Sequence, residues 1–116
     1  MTDRECIDIA NTPARMKGMD IYFELNGMTF IWNAKKAAVN SSKHDGITFE
    51  RAATVFFDPF FRLVDVTRGD EPRDAVIGFD ALSHLLFVVH VELDGEAIRI
   101  ISARRATNEE HKHYDL

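Results

Sequence analysis

Three arginines lie close together near the end of the chain, in a strand-like segment that leads directly into a helix start. Residues 98–107 read IRIISARRAT, which places Arg99, Arg104 and Arg105 among apolar side chains. A guanidinium group is costly to hold on a sheet unless an anion or a carboxylate contacts it. In a chain whose net charge is -5, the segment therefore indicates either phosphate recognition or a structural ion-pair network, and the spacing favours neither.

A second group of basic and polar residues recurs at helical spacing earlier in the chain. Lys36, Asn40, Lys43 and His44 stand at i, i+4, i+7 and i+8, so they share one face of a helix. The default interpretation of such a face is a solvated surface, and the alternative is a binding surface for an anionic chain. Arg73 stands where a loop enters a strand, where a charge also discourages edge-to-edge association of sheets.

The spacing of the arginines limits any site built from a single cleft. Arg99 and Arg104 are five residues apart, so in a regular strand their side chains project to opposite faces. Both contribute to one cleft only if the strand bends between them, near Ser102. A shared basic site therefore predicts an irregularity in this strand.

Three other titratable residues have competing interpretations. His90 lies within an apolar strand, where a hydrogen-bonded core histidine is favoured over a catalytic one. Glu110 completes a capping box with Thr107, which leaves it less available as a base. Tyr114, on the last helical turn, is either a packing residue or a phenol that projects over the sheet, and the sequence does not separate the two.

Metal-site and phosphate-loop motifs are absent from the sequence. It contains no paired cysteines, no histidines at i and i+4, and no glycine-rich loop of the kind that cradles phosphates. Cys6 is the single cysteine, so no internal disulfide framework forms. We therefore expect neither a metal nor another cofactor.

The chain between these residues has the pattern of an α+β fold. Asn26 and Gly27 separate two strand-like runs and predict a hairpin, and Asp94 and Gly95 predict a second one before the arginine-bearing segment. A helix over residues 34–44, capped by Asn33, follows the first hairpin, and a second helix, capped by Thr48, carries an apolar stripe as far as residue 57. Four strand-like segments then predict an antiparallel meander, namely residues 63–66, 73–79 and 85–91 and the arginine-bearing segment. A short helix is predicted over residues 108–116. We expect an antiparallel twisted sheet with the helices gathered against one face.

Length and composition indicate a single domain. The chain has 116 residues, of which 46% are hydrophobic, and we assign residues 20–116 to the domain and residues 1–19 to a flexible N-terminal extension. No segment approaches the roughly 20 apolar residues of a membrane span, and the first residues lack the order of an export signal, which favours a cytoplasmic protein. The net negative charge argues against nucleic-acid binding over the whole surface, so a basic patch must form by folding.

Several segments, taken in order, resemble the BrnT toxins, the toxin half of the BrnT/BrnA type II toxin-antitoxin systems. The resemblance covers about residues 20–116. The matching residues are Phe30 to Asn33 with Lys36, Asn40, Lys43 and His44, then FERAATVFFDP over residues 49–59, Arg73 with Ile77 and Gly78, residues 99–107, and Tyr114.

The resemblance implies a RelE-like fold and a cofactor-free, metal-independent ribonuclease that inhibits translation. It also implies neutralisation by a BrnA-like antitoxin in a heterotetramer of two toxins and two antitoxins, with operator DNA bound only through the antitoxin. The alternative is a module that keeps the toxin fold, binds the antitoxin and serves as a corepressor without catalysis.

The resemblance also implies roles for individual residues. Arg99, Arg104 and Arg73 are expected to clamp phosphate, and Lys36, Lys43 and Arg105 to bind the RNA backbone. Either His44 or Tyr114 is expected to transfer a proton, because RNA cleavage by its own 2′-hydroxyl needs a base for that hydroxyl and an acid for the leaving oxygen.

Overall fold

The computed structural model describes residues 19–115. Of the predicted flexible extension only Met19 is among them. The elements are β1 (Asp20–Leu25), β2 (Met28–Asn33), α1 (Ala34–Lys43), α2 (Phe49–Thr54) with a 3₁₀ turn (Val55–Phe57), β3 (Arg62–Asp65), β4 (Asp74–Phe79), β5 (Leu85–Leu93), β6 (Ala97–Arg105) and α3 (Asn108–Tyr114).

The described strands form one six-stranded sheet in the order β1-β2-β6-β5-β4-β3. The α+β class and the meander from β3 to β6 are confirmed, and β5 lies in the interior between β6 and β4. The expectation of a fully antiparallel sheet is wrong at one pair, because β2 runs parallel to β6. The alternation of apolar residues indicates which face of a strand is buried. It does not indicate whether a neighbouring strand runs parallel or antiparallel, because that depends on the long crossover connection between the two strands.

Local signals place the ends of the elements. The turn residues Asn26 and Gly27 have φ of 52° and 84°, and Asp94 and Gly95 have φ of 50° and 72°, so both tight hairpins form as predicted. The side chains of Asn33, Thr48 and Thr107 each accept a hydrogen bond from the backbone N–H three residues further on and cap the three helices of the described region.

The main core lies on one face of the sheet, which we call the core face, under α2. Trp32 and Phe49 pack edge to face there with ring centroids 5.8 Å apart. The buried cluster consists of Phe30, Trp32, Ile47, Phe49, Ala52, Ala53, Val55, Val76, Leu86, Val88, Ile98, Ile100 and Ala103. Burial of this apolar surface is the main force that holds α2 to the sheet.

The opposite face, which we call the α3 face, is also partly covered. Ala75 and Ile77 alternate with the core residues of β4 and are 0% and 1% exposed. Helix α3 lies on this side, where the Tyr114 ring packs perpendicular to Phe79 with centroids 5.3 Å apart. The helices are therefore not all gathered on one face, because β4 and β5 are apolar on both sides and each side needs cover.

His90 is a core histidine, which confirms the interpretation that the sequence favoured. It is 5% exposed, and its ring packs edge to face on Phe56 at 4.8 Å. Burial lowers the pKa of His90, although the contact with the Val88 carbonyl opposes the shift. The ring is therefore neutral and belongs to the packing of the core.

Candidate functional site

A bulge in β6 places two of the arginines on the same face of the sheet. The pairing of β6 with β5 skips Ile101, so β6 contains one extra residue at that point. Arg99 pairs with Val91 and Arg104 pairs with Phe87. Because Val91 and Phe87 are four residues apart in one strand, both arginines lie on the α3 face. This is the bend that a shared face required.

Both of these arginines have carboxylate partners. Arg99 Nη2 lies 2.9 Å from Asp20 Oδ2. Arg104 binds Glu110 through two parallel hydrogen bonds of 2.8 and 2.9 Å, and its guanidinium lies 4.3 Å from the centre of the Phe87 ring. The hydrogen bonds from Arg104 hold the pKa of Glu110 below its usual value. In the protein alone, these arginines form ion pairs, so a phosphate that binds them competes with a carboxylate.

Arg73 lies away from the other candidate residues. It precedes β4 and binds Glu71 at 3.1 Å. The far end of β4, at Phe79, lies beside the part of β5 that pairs with Arg105. The length of β4, about 20 Å for six residues, separates Arg73 from that end of the sheet. The structure therefore does not bring Arg73 into one cleft with Arg104 and Arg105.

Tyr114 is anchored by its hydroxyl group, which donates a 2.7 Å hydrogen bond to Asp58 Oδ2. Desolvation and the bond to Asp58 raise the pKa of Tyr114 to about 12. The phenol therefore keeps its proton at neutral pH and fixes the end of α3 to the loop before β3. This arrangement corresponds to the packing interpretation, and proton transfer by Tyr114 stays a prediction.

Tyr114→Phe is expected to lower the free energy of unfolding by about 1 kcal/mol at neutral pH, because it removes a hydrogen bond to a half-buried, ionised carboxylate. Burial by itself raises the pKa of Asp58, but hydrogen bonds from Phe79, Phe60 and Tyr114 outweigh it and lower the pKa. Stability from these bonds is thus present above about pH 4 and lost as the pH falls further.

Urea denaturation of the wild type and of Tyr114→Phe over a range of pH tests this linkage. The difference between the two proteins should shrink in acid. It should also shrink as the pH rises from about 10 towards 12, where the folded wild type loses the phenolic proton. Tyr22→Phe is the control, because the Tyr22 side chain is 69% exposed. An unchanged difference from neutral to acid pH contradicts the assignment.

Asn40 of α1 faces inward, although its spacing placed it on the polar face. Its Nδ2 donates to the carbonyl oxygen of Ala103 at 2.9 Å, and its Oδ1 accepts from the N–H of Ala103 at 3.0 Å. The last pair between β2 and β6 is Ile31 with Arg99. Helix α1 therefore lies beside the part of β6 that no longer pairs with β2. There the Asn40 amide bonds the backbone N–H and carbonyl groups at the edge of β6 that no neighbouring strand reaches.

This bond joins the predicted basic residues of α1 to the end of β6. Lys43 and His44 follow Asn40 by one helical turn, and Arg105 follows Ala103 by two residues. Lys43 and Arg105 are exposed and His44 is half-buried. Within residues 19–115, neither Lys43 nor Arg105 has a carboxylate partner. We call Lys43, His44 and Arg105 the β6-end cluster. Lys36 is exposed, lies one helical turn before Asn40 and flanks the β6-end cluster.

Sequence reasoning missed a polar group that joins α2 to the turn between β4 and β5. The Asp80 side chain is fully buried and lies 2.9 Å from Arg51 Nη2. Its Oδ1 accepts from the backbone N–H groups of Leu82 and His84, both at 2.9 Å. Arg51 Nη2 also lies 2.8 Å from His84 Nδ1. The sequence feature that could have indicated this group is Arg51, a charged residue inside the FERAATVFFDP segment.

Other features of the described region do not add to the site. No group of three His, Cys, Asp or Glu side chains there is arranged to hold a metal ion. A shallow depression between the two hairpin turns is lined by Glu92 and Glu96, whose charge disfavours RNA. None of the helices between residues 19 and 115 has the length and apolar character needed to span a membrane.

A comparison with protein families gives one result. The family model described as "Ribonuclease toxin, BrnT, of type II toxin-antitoxin system" matches residues 32–110. The matched segment includes α1, α2 and β3 to β6, and it contains every predicted site residue except Tyr114. No curated protein matches the chain.

Proposed function

Because the chain belongs to the BrnT family of ribonuclease toxins from type II toxin-antitoxin systems, we propose that it cleaves RNA without a metal ion and thereby inhibits translation in the cytoplasm. We also propose that its sheet and helices have a RelE-like arrangement and that residues 20–116 form one domain. One observation carries the catalytic proposal. The Asn40–Ala103 hydrogen bonds hold a basic helix against the basic end of β6.

The β6-end cluster supplies two cations and one candidate proton-transfer group for metal-free RNA cleavage. The 2′-hydroxyl must lose a proton as it attacks the adjacent phosphorus, and the leaving 5′-oxygen must gain one. Lys43 and Arg105 supply positive charge for the phosphate and for the charge that develops in the transition state. His44, held at the end of α1 by its backbone N–H bond to the Asn40 carbonyl oxygen, is the proposed proton-transfer residue. Tyr114 is the second candidate for that role.

Arg99 and Arg104 are proposed to hold neighbouring phosphates on the α3 face. Both are partly exposed, with side-chain exposures of 33% and 36%, so an RNA phosphate can reach them. Binding then exchanges the carboxylates of Asp20 and Glu110 for phosphate oxygens. Lys36 is proposed to contact the backbone beside the cluster, and Arg73 to contact a distant part of the same RNA.

The proposed protein partner is a BrnA-like antitoxin, in an assembly of two toxins and two antitoxins that contacts operator DNA through the antitoxin. The edge strand β3 supports an extended protein surface. Phe60, Phe61 and Leu63, at its start, are 73%, 39% and 60% exposed. An edge strand flanked by exposed apolar side chains suits a partner that adds a strand or packs a helix there.

Cleavage of a synthetic RNA in excess chelator tests the catalytic proposal. We expect the wild type to cleave under these conditions, and Arg104→Ala and Arg105→Ala each to lower kcat/KM by about 10- to 100-fold. Lys112→Ala changes an exposed residue of α3 and should cleave normally. Loss of wild-type cleavage in chelator with recovery on metal addition contradicts metal independence. Normal cleavage by both arginine variants contradicts the site.

The second candidate function is a non-catalytic module that binds the antitoxin and acts as a corepressor. The ion pairs of Arg99, Arg104 and Arg73 with internal carboxylates favour it, because paired arginines need not bind RNA. Induction in cells separates the two functions. Growth arrest that is lost in Arg99→Ala and Arg104→Ala supports the ribonuclease, and harmless expression with antitoxin binding retained supports the module.

A further inference from the structure

We propose that His84 donates a hydrogen bond from Nε2 to a phosphate oxygen of bound RNA, and that Arg51 and Asp80 position its ring for this contact. This role rests on the proposed ribonuclease function and adds a residue to its RNA-binding site. It follows from three features of the turn between β4 and β5, which are the protonation of the ring, the rigidity of its support and its place beside Arg105.

The contact with Arg51 determines which ring nitrogen of His84 carries the proton. Arg51 Nη2 lies 2.8 Å from His84 Nδ1. A guanidinium group only donates hydrogen bonds, so Nδ1 must accept. The proton of the neutral imidazole is then on Nε2, which points away from Arg51 across the ring. His84 is half-exposed, and it carries its N–H donor on the side of the ring away from Arg51.

Asp80 makes this arrangement rigid. Its buried carboxylate accepts from Arg51 Nε at 3.0 Å and from the backbone N–H of His84 at 2.9 Å. The same turn holds Ser83 in the left-handed region at φ 65°, a conformation that non-glycine residues adopt only when the surroundings enforce it. The Asp80 carboxylate therefore holds both Arg51, which orients the His84 ring, and the backbone of His84 itself.

The turn lies beside the end of β6. The Ala106 N–H donates to the Leu85 carbonyl oxygen at 2.9 Å, and Leu86 pairs with Arg105. His84 precedes Leu86 by two residues, so His84 and Arg105 are diagonal neighbours on the same face, about 7–8 Å apart at their Cα atoms. That distance is within reach of the two side chains for a single phosphate group between them.

The combination of a neutral donor and a nearby cation matches a phosphodiester. Arg51 is neutralised by Asp80, whereas Arg105 has no carboxylate partner in the described part of the chain. An anion near His84 therefore gains a charge contact from Arg105 and a directed hydrogen bond from Nε2. His84 extends the β6-end cluster towards α2.

Two substitutions separate contact with RNA from support of Arg51. His84→Asn keeps an acceptor near the position of Nδ1 but removes the distal donor, whereas His84→Gln places an amide N–H₂ near the position of Nε2. Affinity is measured with an RNA oligonucleotide carrying 2′-O-methyl groups, which cannot be cleaved. Cleavage of the unmodified RNA is measured in parallel, and His113→Asn, an exposed histidine of α3, is the control.

If His84 contacts phosphate, His84→Asn should weaken RNA binding by about tenfold or more, while His84→Gln and His113→Asn stay within about threefold of the wild type. A purely structural role gives the reverse order, with His84→Asn normal and His84→Gln impaired, and overturns the inference. NMR of the wild type should show the proton of the neutral His84 ring on Nε2, and a proton on Nδ1 also overturns it. Failure of the wild type to bind or cleave RNA overturns the proposed ribonuclease function itself.

Discussion

Asp80→Ala is expected to lower the free energy of unfolding by about 3 kcal/mol. The substitution leaves Arg51 partly buried without its carboxylate and removes the acceptor for two backbone N–H groups in the turn before β5. Both effects act in the same direction, because an unpaired buried donor loses its bonds to water without gaining others. Urea denaturation followed by the fluorescence of Trp32, which is 2% exposed, measures the loss.

Two further variants make this expectation specific. Asp70→Ala changes an exposed carboxylate of the loop before β4 and should shift stability by less than about 0.5 kcal/mol. The double variant Arg51→Met with Asp80→Ala should recover part of the loss, because it removes the unpaired charge together with its partner. A loss below about 1 kcal/mol in Asp80→Ala means that the turn does not depend on this carboxylate.

The Arg51–Asp80 pair shows where sequence reasoning stops. The caps, the tight hairpins and the apolar stripe of α2 are local, so a few residues determine each of them and the sequence predicted them correctly. Arg51 and Asp80 are 29 residues apart, and neither has a neighbour that reveals the other. Only packing of α2 over the turn between β4 and β5 brings the two charges together.

The bulge in β6 is an intermediate case. The odd spacing of Arg99 and Arg104 predicted that a shared face requires a bend, and the pairing of β5 with β6 contains one. The sequence left phosphate recognition and an ion-pair network as open alternatives for these arginines, and it did not indicate which carboxylates they contact. Asp20 lies in β1, beyond β2 in the sheet, and its approach to Arg99 depends on the parallel pairing of β2 with β6, which strand patterns do not specify.

Asn40 shows why a helical period can mislead. It stands in phase with Lys36 and His44, so its spacing indicates a solvated polar face. A polar side chain that completes the edge of a strand has the same spacing as one that contacts water. The distinction depends on where β2 stops pairing with β6, which is a tertiary property. Thus the sequence indicated that α1 is amphipathic but did not indicate which polar residue faces inward.

Asn40→Leu is expected to destabilise the protein by about 2–4 kcal/mol and to reduce RNA cleavage further than the loss of folded protein explains. Leucine has a similar size but bonds neither the N–H nor the carbonyl oxygen of Ala103, and both groups stay buried. Helix α1 then loses its polar attachment to β6. Lys43 and His44 lose their fixed position relative to Arg105, and a small displacement of such groups lowers a rate strongly.

The two effects are separated by assaying cleavage at a temperature at which the variant is still folded, judged by far-ultraviolet circular dichroism. Asn108→Leu, at the exposed first residue of α3, is the control and should retain both stability and cleavage. Asn40→Asp keeps the acceptor for the Ala103 N–H but replaces the donor with a charge, so it should also lose stability. If folded Asn40→Leu cleaves RNA at the wild-type rate, the link between α1 and β6 does not organise the site, and the chemistry must reside on the α3 face with Arg99 and Arg104.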